Sequence, residues 1–352
     1  MSLMNVAKTM NPMGPSSENC TPSAKERFAH ALTLVPEIAQ VEARIRSTFR
    51  SDVVLMREIP DYLLTLGGKR IRPILSLLCS KALGAEEITP DIIDISAGIE
   101  LIHMATLMHD DIIDQSPVRR HQPSPYAKFG TPATLLSGDF LLTRAFGLCS
   151  KLDQEIIEAT EQACIELVEG EALETLLHQD EHSVQKSLTI ATRKTASLFK
   201  LSAFCAAHLT DSTEETTKAM SLFGEALGIA FQIIDDILDV TSNEATLGKR
   251  PGLDIFERKP SLVNMLWLES GDPLAKRLLV APDPRTEGEY VERALVALRD
   301  GPVIQKTKAL ARQYADAATK ELAKALGNDL HNLTPEGEAL FAVIDFALER
   351  VL

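Results

Sequence analysis

The sequence predicts an all-α protein, and three observations carry that prediction. Only 5% of its 352 residues are aromatic while 45% are hydrophobic, and the apolar share is rich in Leu, Ala and Ile, a balance that favours helices over sheets. No alternation of apolar and polar residues persists long enough to read as a strand. Helix punctuation, in contrast, is explicit: caps and first-turn prolines stand just ahead of the long apolar stretches.

Residues 1 to about 24 are polar and rich in Pro, Ser and Asn, the composition of a disordered extension, which leaves 25–352 as one domain. The first long helix opens at Thr89-Pro90-Asp91, an N-cap, a proline at the first helical position and an acid in the first turn. It is predicted to run to Ser116, where Pro117 stops it, a length of about 40 Å at 1.5 Å per residue. Its stretch IIDISAGIELIHMATLM is apolar around much of the circumference, so it belongs at the centre of the fold. A second helix opens near Ser212, with Glu215 completing a capping box, carries MSLFGEALGIAFQIIDDILDV and fades at Thr241-Ser242-Asn243. TSNEATLGKRPGLDIFERKP reads as an ordered basic loop and LESGDPLAKRLLVAPDPRTEGEY as an exposed connection. From Pro302 to Leu352 the pattern returns to amphipathic helices.

The net charge of −14 argues against nucleic acid as a partner, and any anionic substrate needs a local basic cluster against the overall field. Five widely spaced cysteines without a CxxC pair read as reduced core thiols of a cytoplasmic protein. No apolar run is expected to reach the length of a bilayer span, and the first residues lack a signal-peptide pattern.

The chemistry begins in MATLMHDDIIDQSPVRR. An apolar helix ends in Asp110, Asp111 and Asp114, and the same i, i+1, i+4 pattern returns as Asp235, Asp236 and Asp239 in DDILD. Positions i and i+4 share a helix face, so two carboxylates of each cluster point one way. Both clusters fall at helix C-terminal ends, where the macrodipole is negative and carboxylates repel it and one another. A divalent cation removes that conflict, and hard oxygen ligands with room for water and phosphate suit Mg²⁺. A solvated acidic helix end would account for one such cluster. Two copies embedded in Ile, Leu and Met favour the metal.

Basic residues gather near these acids in sequence. LGGKRIRP carries Lys69, Arg70 and Arg72 beside two glycines, which permit close backbone approach to an anion. Arg119 and Arg120 follow the first cluster, with ion pairing to its aspartates as the bland alternative. Lys194 sits in RKTASLF, and Lys249, Arg250, Arg258 and Lys259 follow the second cluster. Spacing alone does not bring these groups together. His103 shares the helical stripe of Asp110 and Asp114, and Gln232 that of Asp235, where it would donate to a phosphate or face a developing cation.

Taken in order, GGKRIRP, HDDIID followed by RR, SGDFL, EGE, RKTASLF, FQIIDDILD and GKRPGLD resemble the trans-isoprenyl diphosphate synthases, or polyprenyl synthetases, over residues 30 to 350. The resemblance implies the isoprenoid synthase fold, a helical bundle around a deep central cavity with the two acidic clusters facing each other across its mouth. It implies that residues 25–352 form one polyprenyl synthetase domain and that the protein is a homodimer. Carried over by residue, Asp110, Asp111, Asp114, Asp235, Asp236 and Asp239 would hold roughly three Mg²⁺ ions. Lys69, Arg72, His103 and Arg120 would bind isopentenyl diphosphate. Arg119, Lys194, Thr195, Gln232, Lys249 and Lys259 would grip the diphosphate of an allylic substrate. Asp110, Asp114, Asp235, Lys194 and Gln232 would be the catalytic set for a head-to-tail (1′-4) condensation.

Two departures from the family pattern stand out: His121 where the family commonly has Gly, and Ser261 to Asn264 (SLVN) where TLP is usual. Product length in the family depends on the residues four and five places before the first aspartate, where aromatics stop the growing tail. Here they are Thr106 and Ala105, both small, which resembles the long-chain, octaprenyl-type enzymes and implies a product of about C30 to C50 that serves as a quinone side chain. Such a product is apolar enough for transient membrane contact at release. The alternatives are a farnesyl or geranylgeranyl synthase, a class I terpene cyclase, a non-catalytic subunit of a heteromeric synthase, and a magnesium-binding structural bundle. The second intact DDILD and the GGKRIRP motif disfavour the cyclase, retention of both clusters disfavours the subunit, and the ordered basic motifs have no use in a structural bundle.

Overall fold

In the computed structural model of the protein the described residues are 23–176, 183–243, 250–280, 287–299, 301–328 and 331–349. In chain order the helices are α1 (Ala24–Thr33), α2 (Ile38–Thr48), α3 (Leu55–Thr65), α4 (Ile71–Ala82), α5 (Pro90–Ile113), α6 (Pro125–Phe129), α7 (Thr131–Cys149), α8 (Gln154–Leu176) and α9 (Val184–Ile190). A π-helical stretch, Ala191–Ala196, leads into α10 (Ser197–His208) and α11 (Glu214–Thr241). The last are α12 (Leu253–Phe256), α13 (Leu262–Glu269), α14 (Pro273–Leu279), α15 (Glu287–Arg299), α16 (Pro302–Ala325) and α17 (Pro335–Glu349). Two two-residue strands, β1 (Val118–Arg119) and β2 (Gln122–Pro123), make an antiparallel hairpin. The all-α expectation holds.

The predicted N-terminal extension lies, for residues 1–22, outside the described residues. Its end is ordered: Ser23 caps α1 in a reciprocal capping box with Glu26.

The chain divides into two compact units. The first comprises Met1–Glu158, Cys205–Thr213 and Asp329–Phe346. Its centre is α5, which packs against α2, α4 and α7 and buries Ile92, Ile95, Ile99, Leu101 and Ile102. By length and hydropathy this helix does qualify as a membrane span, contrary to expectation, but most of its apolar stretch is buried as a core helix is. Thr89 caps it as predicted, accepting a hydrogen bond from the Ile92 amide. Its end differs from prediction. The helix stops at Ile113, before Pro117, because Gln115 turns left-handed (φ +50°) and a Schellman closure forms: Ser116 N donates to Asp111 O at 3.0 Å and Gln115 N to Ile112 O at 3.3 Å.

The second unit comprises Ala159–Phe204, Glu214–Asn328 and Ala347–Leu352. Its centre is α11, packed along α16 and against the π-helical stretch. Ile229, Ile233, Ile234 and Ile237 join Val263, Leu266 and Trp267 in the core. Trimming a fully buried isoleucine such as Ile234 to alanine would cost about 2–5 kcal/mol. Helix α11 starts at Glu214, two residues after the predicted Ser212, whose hydroxyl lies 3.2 Å from that of Thr210. The connection predicted as exposed, LESGDPLAKRLLV onward, contains α14. Asp272 caps that helix, Pro273 opens it, and Ala275, Leu278 and Leu279 are buried. The basic loop after the second cluster contains the short α12; residues 244–249 of it lie outside the described set.

Candidate active site

Helix α5 delivers the first acidic cluster at its C-terminal end. Asp110 and Asp111 lie in the last turn and Asp114 is the C-cap. Asp110 and Asp114 are half-buried, while the Asp111 side chain is fully buried. Arg119 meets the Asp111 carboxylate through both Nε, at 3.0 Å, and Nη2, at 2.8 Å. The ion pair weighed as the bland alternative is therefore present for Arg119. Burial still raises the Asp111 pKa, against the pull of Arg119.

Arg119 is carried by β1, and the hairpin turn is Arg120-His121, both residues with positive φ (+52° and +63°) as a type I′ turn requires. That is the physical content of the departure at His121: glycine takes such a conformation without strain, and histidine takes it here at some cost.

Around His103 the structure gathers what spacing could not. Burial drives its pKa well below the ordinary value, and the charges of Arg72, Arg119, Arg120 and Arg70 push it the same way. A neutral imidazole among four guanidinium groups accepts or donates a hydrogen bond without adding charge. The glycines of GGKRIRP make room for two of these groups: a Cβ on Gly68 (φ +147°) would sit 2.5 Å from Arg70 Nη1 and 3.0 Å from Arg120 Nη1. Arg70 itself is structural. It is 7% exposed, adopts a left-handed backbone (φ +50°), and donates to Leu64 O at 3.0 Å and to Glu100 at 3.2 Å.

Glu100, hidden in the apolar run of α5, was missed from sequence. It is 3% exposed, its pKa is raised by burial, and Arg70, Arg72 and Arg120 partly offset that. It is the buried counter-charge of the basic group. Lys69, predicted alongside Arg72, is exposed with Nζ 4.9 Å above the ring of Phe346. Ala105 is fully buried on α5, and half-buried Thr106 donates its hydroxyl hydrogen to His103 O at 2.8 Å.

In the second unit, α11 carries the other cluster near its end. Asp235 is half-buried, Asp236 is 6% exposed and Asp239 2%. Asp236 accepts from Gln232 Nε2 and from the Leu262 amide, both at 2.8 Å. Asp239 accepts from the Asp254 amide at 3.1 Å through its carboxylate and from the Gly252 amide at 2.8 Å through its backbone oxygen. Thr195, in the π-helical stretch, donates to Gln232 Oε1 at 2.6 Å. A relay Thr195–Gln232–Asp236 results. The Asp236 pKa is driven well up by burial, then by the charges of Asp254 and Asp235.

Lys194, beside Thr195, pairs with Glu171 at 2.5 Å and with Glu174. Lys259 reaches toward the same Glu174 (3.9 Å) and Glu257 (3.3 Å). Glycine permits this arrangement: a Cβ on Gly170 of the EGE motif would lie 2.6 Å from the Lys194 backbone nitrogen. Insertion of a π turn here displaces Lys194 from the regular helical face, a common device at functional sites. Glu171 and Glu174 were not singled out from sequence, although EGE was. Lys249 lies outside the described residues.

The carboxylate set fits a hard divalent cation. Asp236, Asp235 and Asp254 form a like-charge conflict that a cation relieves. Among the described residues no three His, Cys, Asp or Glu side chains are closed into a ligand cage, and Mg²⁺, which retains several waters, does not need one.

The chain is similar to known proteins in sequence and fold. A model of the polyprenyl synthetase family matches residues 53–296. The octaprenyl diphosphate synthase of Escherichia coli K12 is 34% identical over 317 residues, 89% of this chain and 96% of that one. The nonaprenyl diphosphate synthase of Mycobacterium tuberculosis is 33% identical over 315 residues, 89% of this chain and 92% of that one. The crystal structure of a Caulobacter crescentus polyprenyl synthase complexed with calcium and isoprenyl diphosphate superposes with a TM-score of 0.83 at 29% identity, over 95% of this chain and 100% of that one.

Proposed function

The chain belongs to the polyprenyl synthetase family, and from that premise we propose that it extends an allylic prenyl diphosphate by Mg²⁺-dependent head-to-tail condensation with isopentenyl diphosphate. Its product is a long all-trans polyprenyl diphosphate of about C30 to C50, of the kind used as a quinone side chain. The observation that carries the reading is the convergence of Arg70, Arg72, Arg119 and Arg120 on a neutral His103 just below Asp110 and Asp114. Two of these arginines also serve the buried Glu100 and Asp111, and the four together make the local basic cluster that an anionic substrate of an acidic protein requires.

In this reading Arg72, Arg120, His103 and Lys69 hold isopentenyl diphosphate. Arg119, Lys194, Lys249 and Lys259 hold the allylic diphosphate, with Gln232 oriented by Thr195. The six aspartates would hold Mg²⁺, which would stabilise charge on the departing pyrophosphate; the Caulobacter crescentus polyprenyl synthase, complexed with calcium and isoprenyl diphosphate, supports a divalent ion. The allylic C1–O bond breaks, and its electron pair leaves with pyrophosphate. The double bond of isopentenyl diphosphate forms the new C–C bond to C1, and the proton then lost goes to the released pyrophosphate. Water has to be excluded from the reacting atoms, because it would quench the allylic cation. The small Ala105 and Thr106 leave the tail unblocked at their level. We further propose a homodimer and brief membrane contact at product release.

The test is a product assay with Mg²⁺, farnesyl diphosphate and isopentenyl diphosphate, read by mass spectrometry. A single long product is expected. Accumulation of geranylgeranyl product alone would overturn the chain-length reading, and absence of any product from folded protein would overturn the reaction.

A further inference from the structure

The departure SLVN, which the reaction as described does not use, has a defined place in the second unit. Ser261 caps α13, accepting from the Asn264 amide at 3.4 Å. Asn264, at the third position of that helix, is fully buried and turns its side chain back to the preceding loop. Its Nδ2 donates to two backbone oxygens, Asp254 O and Lys259 O, each at 2.9 Å. Its Oδ1 is buried without a hydrogen-bond partner among the described residues, so the donor end alone accounts for a polar residue in this position.

The two carbonyls bracket the segment that serves the second acidic cluster. At its start, the Asp254 amide donates to Asp239 and the Asp254 carboxylate acts on Asp236. At its end is Lys259, facing Glu174 and Glu257. Between them α12 closes in a Schellman turn with Arg258 left-handed (φ +58°), Lys259 N donating to Asp254 O at 2.9 Å and Arg258 N to Ile255 O at 3.2 Å. Two residues before Asn264, the first amide of α13 donates to Asp236. One side chain thus ties together the backbone that fixes Asp236, the backbone that fixes Asp239, and the lysine between two glutamates.

We propose that Asn264 is a positioning residue for diphosphate and cation at the second acidic cluster, acting by holding the carbonyls of Asp254 and Lys259. It touches neither substrate nor metal. This rests on the proposed function for the identity of the diphosphate, as the allylic one, but not for the existence of the tie.

The test compares wild type with Asn264→Leu, which keeps the branched shape and removes both donors, and Asn264→Asp, which keeps the shape and turns a donor into an acceptor facing two carbonyls. Calorimetry with Mg²⁺ and inorganic pyrophosphate is the readout independent of turnover. Both variants are expected to weaken pyrophosphate binding by about tenfold or more, the usual scale for a residue behind the direct ligands. KM for the allylic substrate rises by a similar factor, while KM for isopentenyl diphosphate stays near wild type and the melting temperature falls by only a few degrees. Unchanged pyrophosphate binding overturns the proposal. So does a uniform loss of both KM values together with a collapse of melting temperature in both variants, the mark of a purely structural role. If wild type makes no prenyl product, the proposed reaction fails, and the Asn264 proposal is still decided by the calorimetry.

Discussion

The two aspartate clusters, DDIID and DDILD, differ by one residue in spelling and are stabilised by different chemistry. In the first, the buried Asp111 is matched by a full charge, the Arg119 guanidinium, with further arginines gathered around His103. In the second, the buried Asp236 is met by neutral donors, an amide side chain and a backbone N–H, and its charged neighbours Asp235 and Asp254 oppose it. The buried aspartate of the first cluster has a cation as its partner, and the buried aspartate of the second has neutral donors. The same motif therefore does not imply the same dependence on metal: the second cluster has more to gain from a bound ion.

The comparison can be broken most sharply at the proposed ligands. Asp110→Ala and Asp235→Ala are each expected to lower kcat by about 10³-fold or more, measured in single-turnover assays at saturating Mg²⁺. Near-wild-type turnover in either would remove that cluster from the mechanism. Next in size is Arg119→Ala, which leaves a buried, unmatched carboxylate. Denaturant unfolding is expected to show a loss of about 3 kcal/mol, largely recovered in an Asp111→Asn background. The corresponding change in the second cluster, Gln232→Leu, removes only neutral bonds and is expected to cost about 1–2 kcal/mol.

The pH response of His103 should have the opposite sign to that of Asp236. His103 has a depressed pKa, so its unfolded form takes up a proton first, and its contribution to stability is lost as pH falls through the ordinary imidazole value of 6.5. Asp236 has a raised pKa, so its folded form holds a proton that the unfolded chain releases. Its contribution is lost as pH rises from the ordinary carboxylate value of 3.8 toward the raised one. In metal-free buffer His103→Gln should flatten the first slope and Asp236→Asn the second; added Mg²⁺ should flatten only the second. A Mg²⁺ effect on both slopes would erase the distinction. The smallest rate effect belongs to Thr106→Phe on the helix of the first cluster. Mass spectrometry should show shorter products with little loss of turnover.

Much of this was legible in the sequence because the residues involved act through their own helix. Thr89-Pro90 opens α5 where predicted, and the clusters stand at helix ends as their spacing implies. What stayed hidden depends on tertiary partners. Arg70 reads like Lys69 and Arg72 beside it, yet it is spent on Glu100, because only folding places it against the middle of α5. Pro117 points to a later end for α5 than the one observed, because Gln115 at positive φ closes the helix first and glutamine carries no local signal for that conformation. Helix α14 was readable in principle from Asp272-Pro273, a cap and a first-turn proline, but the glycines and prolines around it outweighed the signal. The role of Asn264 had no local signal, since its partners lie in the preceding loop.

Lys194 is held by two glutamates of its own unit, Glu171 and Glu174. An ammonium already satisfied by Glu171 and Glu174 gains less from a diphosphate than a bare one would, since binding exchanges one anion for another. For a catalyst that lengthens one chain repeatedly, that is an advantage in tempo. Each addition leaves a spent pyrophosphate, and a resident carboxylate ready to reclaim the lysine shortens the stay of that by-product. Glu174→Gln should then bind pyrophosphate longer, giving a fast first addition followed by slower ones. Equal rates for first and later additions would show that release is timed elsewhere.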